Sequence, residues 1–451
     1  MPELQYLIRW IREGCGRDRV IATRDRVLPL DKLEGWTALG PDLEKLRGRS
    51  VVLSVQDMAS AAAALIELDG VARRVVLCPA AWDPWRLESA AITAEAESLV
   101  YDGADAPTIR VSHAAACQFP LRPLASPRIA EFETEWVLPT SGTTGPPKLV
   151  LHTLSTLTGA IADAPAQRWA TFYDIRRYGG LQIFLRALMG CGSLVVGSPG
   201  EEIGSMLARF GSAGITHISG TPTHWRKVLM SGQGHRIDPD YVRLSGEIAD
   251  GPILSALRAF YPRARIEHAY ASTEAGVVFA VGDEMPGFPA RWIESVGSVE
   301  LKIVDDTLRV RSNRCARRFL GQDAPSLSDE NGFVDTGDVV ERRGDRCYFM
   351  GRRGGVISFG GLKIHPEEVE TVLNSIELVS ASRVFARRSP VTGALIYADV
   401  VLRDGCAPDA DTELKILSAC RARLAPHSAP AAVRFVDDLP MTAGGKIARH
   451  G

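Results

Sequence analysis

No two cysteines of the chain stand in a Cys-x-x-Cys pair; the eight lie apart at positions 15, 78, 117, 191, 315, 347, 406 and 420. That spacing excludes zinc fingers and thioredoxin-like redox motifs, and scattered thiols in a long chain suit a reducing compartment. No apolar run approaches the roughly 18 residues a membrane helix needs. The first residues, MPELQYLIRWIREG, mix charge into their apolar positions, so a cytoplasmic protein without a membrane span is expected. Nor is there a surplus of either charge. With 52 basic against 54 acidic residues, global electrostatics gives no reason to expect nucleic acid as a partner, and any anion site must be local. Internal repeats and long low-complexity tracts are also absent. What is there is an ordinary globular composition, 45% hydrophobic and 24% charged, over 451 residues, enough for about three average domains.

Leu4, Leu7, Ile8 and Ile11 predict an amphipathic helix over 3–13 that serves packing. A strand over 49–54, an alanine-rich helix over 58–68 and a strand over 74–78 make a strand–helix–strand unit and predict a parallel sheet. The proline- and alanine-rich stretch 101–127 is expected to be irregular. Alternation resumes with a helix at 181–189, a strand at 193–196, a helix at 203–210, a strand at 215–218 and a helix at 223–230. An apolar strand from Ile266 then ends in the polar turn AYASTEAG, 269–276. Ligands of open α/β sheets bind at the carboxyl ends of strands, which makes this turn a candidate site. From Ser295 the texture changes to short strands at 299–304, 308–312, 333–341 and 346–351, a β-rich subdomain. RRGGVISFGG, 352–361, reads as a flexible joint. Beyond it a helix begins at Pro366, with Glu367, Glu368 and Glu370 in its first turns, favourable to the helix dipole, and opens a small α+β unit.

The stretch TSGTTGPPK, Thr140 to Lys148, lies between the apolar runs Trp136–Leu138 and Leu149–Leu151, which predict strands. Gly142 and Gly145 remove side chains where a backbone must approach a ligand or take positive φ. Thr140, Ser141, Thr143 and Thr144 add hydroxyls to the backbone N–H groups, and Lys148 adds a compact positive charge. That is the inventory of a polyphosphate cradle, with ATP the first candidate. The spacing departs from the P-loop of nucleotide triphosphatases, since Pro146 and Pro147 separate Gly145 from Lys148. Such clusters also form plain turns, and the loop alone leaves both readings open.

YASTE at 270–274, DTGD at 335–338, GRRGG at 351–355, the glycines at 360 and 361, and PMTAGGKIAR at 440–449 follow in order. Each singly reads as well as a strand end or turn. Together with the phosphate loop, in this order and spacing, they resemble the adenylate-forming superfamily of acyl- and aryl-CoA synthetases, peptide-synthetase adenylation domains and luciferases. The resemblance is close from about Trp136 to Arg449 and loose over residues 1–130. It implies an α/β and α+β fold: a large N-terminal domain of β-sheets flanked by helices, residues 1–353, and a small mobile C-terminal domain, 354–451. It also implies an AMP-forming acid–thiol ligase.

By that resemblance, Ser141, Thr143, Thr144 and Lys148 hold the β- and γ-phosphates of ATP, Thr273 touches the α-phosphate, and Glu274 holds Mg²⁺. Asp338 accepts the ribose hydroxyls with Arg352 close by, Tyr270 offers its ring to adenine, and Gly246 and Glu247 in RLSGE match the adenine-side strand. Lys446 bridges the substrate carboxylate and the α-phosphate as they meet. Coenzyme A is the expected acceptor, with the phosphopantetheine arm of an acyl carrier protein as the alternative, and a homodimer is compatible with the reading. A degenerate, non-catalytic binding protein of the same fold is the contrasting reading, and Lys148 together with Lys446 counts against it.

Three departures from the family stand out. Gly354 and Gly355 occupy the pivot, the region before the phosphate loop is short, and Arg176-Arg177-Tyr178-Gly179 replaces an H-x-x-G pattern beside the acyl pocket. Arg176 reads either as facing the substrate, a guanidinium pairing well with carboxylates, or as an exposed arginine at a helix start. Tyr173, Tyr178, His217, Trp225 and Tyr270 are further expected wall residues, and their aromatic bias leans toward an aryl or small acyl acid.

Overall fold

The structure, a computed structural model, describes residues 6–12, 18–140, 147–161, 167–198, 200–359, 362–389, 393–442 and 445–448. Two large sheets carry most of its apolar strands. The eight-stranded sheet runs, edge to edge, Gly276–Val281, Arg265–Ser272, Tyr241–Ser245, His217–Gly220, Arg168–Thr171, Ser193–Val196, Val20–Ala22, Val27–Pro29. Its interior pairings are parallel and only the two edge strands are antiparallel. The seven-stranded sheet is built around Ser50–Ser54, which pairs in parallel with Arg74–Leu77 and Ser98–Tyr101.

Helix Met58–Leu68 explains how the two sheets close on one another. Asp57 caps it by accepting from the Ser60 N–H, and every one of its residues is buried. A helix buried on all sides must be largely apolar and slender; MASAAAALIEL is so except at Glu67, whose buried carboxylate accepts from the Thr37 hydroxyl and the Ala38 N–H, and the helix packs against Val20–Ala22 and Val27–Pro29 of the other sheet. A largely aliphatic core joins it to residues of both sheets, from Leu7 to Val277.

A six-stranded sheet follows, carrying Val334–Arg343 and Arg346–Arg352 as an antiparallel pair. Beyond the turn Arg353–Gly355, the remaining chain builds its own core, from Ile357 and Ile364 through Val369, Val384 and Ile416 to Val433. The sheet Val379–Ser389, Gly393–Leu402 and Ala432–Phe435 and the helices Pro366–Asn374 and Ala410–Arg423 surround that core.

Three expectations need correction. The stretch 101–127 contains a strand, His113–Ala116, in parallel register with Ser98–Tyr101; its alanines carry no periodicity, and its pairing is non-local. The strand expected at 215–218 is His217–Gly220, because Ile215 turns back onto the preceding helix, its N–H donating to the Phe210 carbonyl. Among the described residues six cysteines are free thiols, but Cys191 is disulfide-bonded; linear spacing is silent about pairs formed by tertiary approach. Among the described residues no helix is long and apolar enough to cross a membrane.

Candidate active site

Because the strands Arg168–Thr171, His217–Gly220, Tyr241–Ser245 and Arg265–Ser272 run parallel, the residues after each emerge on the same edge of the sheet. Tyr173, Thr221, Gly246 with Glu247, and Thr273 with Glu274 are thus gathered from four separate segments. Thr273 and Glu274 sit in a turn closed by the Ser272 hydroxyl, which accepts from the Ala275 N–H at 2.9 Å. His152, which the sequence reading passed over, holds this turn from behind: its Nε2–H donates to the Thr273 carbonyl at 2.7 Å, while its Nδ1 meets the Thr156 hydroxyl at 2.8 Å. Burial pushes the His152 pKa down to about 4, so the ring is neutral at pH 7. Its sequence signal was its place at the end of the strand Leu149–His152, directly after the phosphate loop.

The β-rich sheet supplies a second group. Asp338 stands opposite Arg352 in register. Its carboxylate accepts from the Tyr270 hydroxyl at 2.6 Å and from Arg352 Nε at 3.1 Å. The Tyr270 ring stacks on Phe349, centroids 4.4 Å apart, and burial together with the Asp338 charge pushes its hydroxyl pKa up. Burial alone would lower the Arg352 pKa, but the charges of Asp338 and Glu274 outweigh it and raise it.

The C-terminal segment brings the third. Met441 and Ile447 form an antiparallel bridge, the Thr442 N–H donates to the Lys446 carbonyl at 2.7 Å, and the Gly445 N–H donates to the Thr442 carbonyl at 3.0 Å. This hairpin carries Lys446 to the strand end at Gly246: a Cβ on Gly246, whose φ is +89°, would stand 3.2 Å from Lys446 Cε and 3.8 Å from Nζ. Burial lowers the Lys446 pKa and Arg352 and Arg177 act in the same direction, while Glu247 and Asp338 oppose them. The small domain is held elsewhere as well. Asn374 donates to Asp250 at 3.2 Å, and Lys227 pairs with Asp438 at 2.7 Å.

Of the phosphate loop, Thr140 and Lys148 are described. They close the base of a hairpin, the Thr140 N–H donating to the Lys148 carbonyl at 2.9 Å, and Lys148 is exposed. Ser141, Gly142, Thr143, Thr144 and Gly145 lie outside the described residues. Among the described residues no three His, Cys, Asp or Glu side chains cluster to hold a metal ion, and Glu274 offers one partly buried carboxylate.

The expected acid-pocket wall divides. Tyr173 stays at the strand-end edge, its hydroxyl donating to the Ser245 carbonyl at 2.7 Å and its ring edge-on to His224. Tyr178 is buried beside His152, ring centroids 5.6 Å apart. Arg176 does not face a substrate: it is 0% exposed, its Nε and a terminal nitrogen donate to Asp174 at 2.8 and 2.9 Å, and its other terminal nitrogen donates to the Val55 carbonyl. The pair ties the start of helix Tyr178–Met189 to the seven-stranded sheet. His217 begins its strand, in register with Tyr241 and with its ring tilted against Trp169, centroids 5.0 Å apart. It therefore sits at the opposite end of the sheet, on the order of 10 Å from the edge where Gly220 ends. Trp225 is a fully buried core residue.

Removing one partner of a buried ion pair leaves an uncompensated charge. Arg176→Leu should therefore destabilise the fold by about 3–5 kcal/mol and leave the order of preference among acids unchanged. Denaturant unfolding and an acid panel test this, and an altered acid preference at full stability would restore Arg176 to the pocket. Its neighbour Arg177 behaves differently: its Nε is buried without a hydrogen-bond partner among the described residues.

Known proteins bear on the whole chain. The family model described as AMP-binding enzyme matches residues 50–314, and that described as AMP-binding enzyme C-terminal domain matches residues 368–446. The 4-hydroxybutyrate–CoA ligase 1 of Metallosphaera sedula is 26% identical over 352 residues, covering 69% of this chain and 60% of that protein. The 2-succinylbenzoate–CoA ligase of Bacillus velezensis is 26% identical over 347 residues, covering 70% and 68%. The match thus spans about three-fifths of the length of the first of these relatives. Among solved structures, an anthranilate CoA ligase in complex with anthranoyl-AMP is similar at a TM-score of 0.84 and 18% identity, covering 99% of this chain and 96% of that one. The o-succinylbenzoate CoA synthetase of Bacillus subtilis with its acyl-adenylate intermediate gives 0.78 and 18%, covering 99% and 97%. These likenesses show a shared fold. The first family model covers more than half of the sequence and the second falls on the domain that carries Lys446, so this chain belongs to the AMP-binding enzyme family.

Proposed function

We propose that the protein uses ATP to convert a carboxylic acid to its acyl-adenylate, releasing pyrophosphate, and then transfers the acyl group to a thiol, releasing AMP. Coenzyme A is the favoured thiol, in keeping with the names of the relatives. The observation that carries this reading is Lys446, delivered by the small domain to the edge of the large sheet beside Gly246, where the charges of Glu247 and Asp338 act on it.

A carboxylate attacking the α-phosphate brings two anions together, and charge gathers at phosphorus as the bond forms. Catalysis of such a step is positioning and electrostatic stabilisation. The Lys446 ammonium supplies a fixed positive charge where the two anions meet. Thr273, held by His152, offers its hydroxyl and backbone to the α-phosphate. Lys148 and the hydroxyl-bearing residues Thr140, Ser141, Thr143 and Thr144 are assigned to the outer phosphates. Asp338 receives the ribose hydroxyls, and Tyr270 with the strand end at Gly246 borders the adenine. Glu274 would hold Mg²⁺, and a single carboxylate suits an ion that arrives on phosphates and keeps most of its other oxygen ligands from them and from water; the bound ion neutralises phosphate charge. The acid then lies toward Tyr173 and Tyr178. An aryl or small acyl acid is the favoured class, and one bearing a second polar or anionic group is supported by the Arg177 Nε, buried without a hydrogen-bond partner among the described residues.

Acid-dependent exchange of labelled pyrophosphate into ATP, run with Mg²⁺ across a panel of carboxylic acids, tests the first half-reaction. A lack of exchange with every acid of the panel would sink the proposal.

The joint makes a separate prediction. Arg353 is pinned by Asp335 at 2.7 Å and by the Thr307 hydroxyl at 2.9 Å, whereas a Cβ on Gly354 or Gly355 would meet nothing within 4 Å. Rotation of the small domain is therefore free to begin at Gly354. Gly354→Pro fixes φ there and is expected to slow thiol transfer about tenfold or more while adenylation falls less. Gly354→Ala serves as control, and unchanged turnover of both steps in the proline variant would argue against a swinging domain.

A further inference from the structure

We infer that Glu247 is a positioning residue, the post on which the lysine hairpin is seated, and not a contact to the nucleotide. The inference rests on the adenylation reading, since it concerns how Lys446 is held for that step. Both oxygens of the Glu247 carboxylate are committed to backbone donors from distant parts of the chain. Oε2 accepts from the Thr223 N–H at 3.0 Å, in the first turn of helix Pro222–Met230, and Oε1 accepts from the Ile447 N–H at 2.9 Å, one residue past Lys446. One carboxylate thereby ties a helix N-terminus of the large domain to the tip of the small one.

The same helix completes the socket. Thr221 caps it, accepting from the His224 N–H at 3.1 Å, and its hydroxyl donates to the Gly445 carbonyl at 2.8 Å. His224 is stacked on Phe172, ring centroids 5.1 Å apart, and its edge meets the hairpin where a side chain would otherwise be. A Cβ on Gly445 would lie 2.1 Å from His224 Cε1, and φ there is +73°, a conformation that L side chains rarely adopt. Thr221, His224 and Glu247 therefore recognise the backbone at 445–447 and leave the side chain of Lys446 to project toward Gly246. Charge-assisted bonds to a backbone N–H are among the stronger hydrogen bonds of a protein, and this one exists only while the hairpin is seated.

Trypsin cleavage after Lys446, followed by intact mass on the full-length protein without substrates, reads seating directly, because cleavage tracks the open population when reclosing is fast. Glu247→Ala should raise that rate about ten- to a hundredfold, the loss expected for one charged hydrogen bond. It should lower kcat for pyrophosphate exchange by a similar factor, with the ATP KM within about twofold. Glu247→Gln keeps an oxygen acceptor for Ile447 and should recover most of both. Gly445→Ala, which alters only the hairpin, should reproduce the alanine result even if Glu247→Ala folds poorly. Unchanged cleavage in both alanine variants, or a raised ATP KM at unchanged kcat in Glu247→Ala, would overturn the inference. If the wild type shows no exchange with any acid, the adenylation reading fails while the cleavage measurement still decides the socket.

Discussion

Lys446→Ala is expected to lower acid-dependent pyrophosphate exchange by about 10²–10³-fold, the usual consequence of removing one preorganised group from a developing charge. Acyl transfer from a supplied acyl-adenylate to the thiol should stay within about threefold. The asymmetry has a structural reason. Lys446 reaches the sheet edge only through the seated hairpin, and every contact that seats it, from Thr221, Glu247 and Gly445, lies between the two domains. A small domain that turns about Gly354 for the second step takes the lysine with it. The pH profile carries the same signature. Burial lowers the Lys446 pKa below the ordinary lysine value, and the ammonium is the active form. Adenylation should therefore decline on the alkaline side at a lower pH than a solvated lysine would give. Equal loss of both half-reactions in Lys446→Ala would contradict the division of labour.

Asp338→Ala is expected to reduce kcat/KM for ATP by about 10²–10⁴-fold, since two hydroxyl hydrogen bonds to one carboxylate are lost at about 1.5–3 kcal/mol each. In the present arrangement the carboxylate is already oriented by Tyr270 and Arg352, so ribose meets a preorganised acceptor. Tyr270→Phe removes one of those supports and leaves the carboxylate in place, and should cost about tenfold or less. Titration of ATP in the exchange assay separates these outcomes. An ATP dependence unaltered in Asp338→Ala would remove Asp338 from the nucleotide site.

The chain by itself determined the alternation of strands and helices, because apolar runs such as those at 50–54 and 149–151 and the alanine helix at 58–68 are local patterns of period and burial. It also determined which loop, turn and lysine to suspect, since hydroxyls, glycines and isolated charges at strand ends are visible without coordinates. Only the tertiary structure decided which neighbours those residues meet. Arg176 and Arg177 are adjacent and chemically identical in the sequence, yet one is spent on Asp174 and Val55 and the other keeps a buried Nε without a hydrogen-bond partner among the described residues. His217 has the composition of a pocket residue and stands at the wrong end of its strand, because strand direction in the assembled sheet sets which end is the ligand edge. His152, Thr221 and His224 carry no motif, and Glu247 meets Ile447 two hundred positions later. Hydrogen bonds that span such separations depend on sheet order and domain docking, which are cooperative properties of the whole fold and leave no periodic trace in the residues that make them.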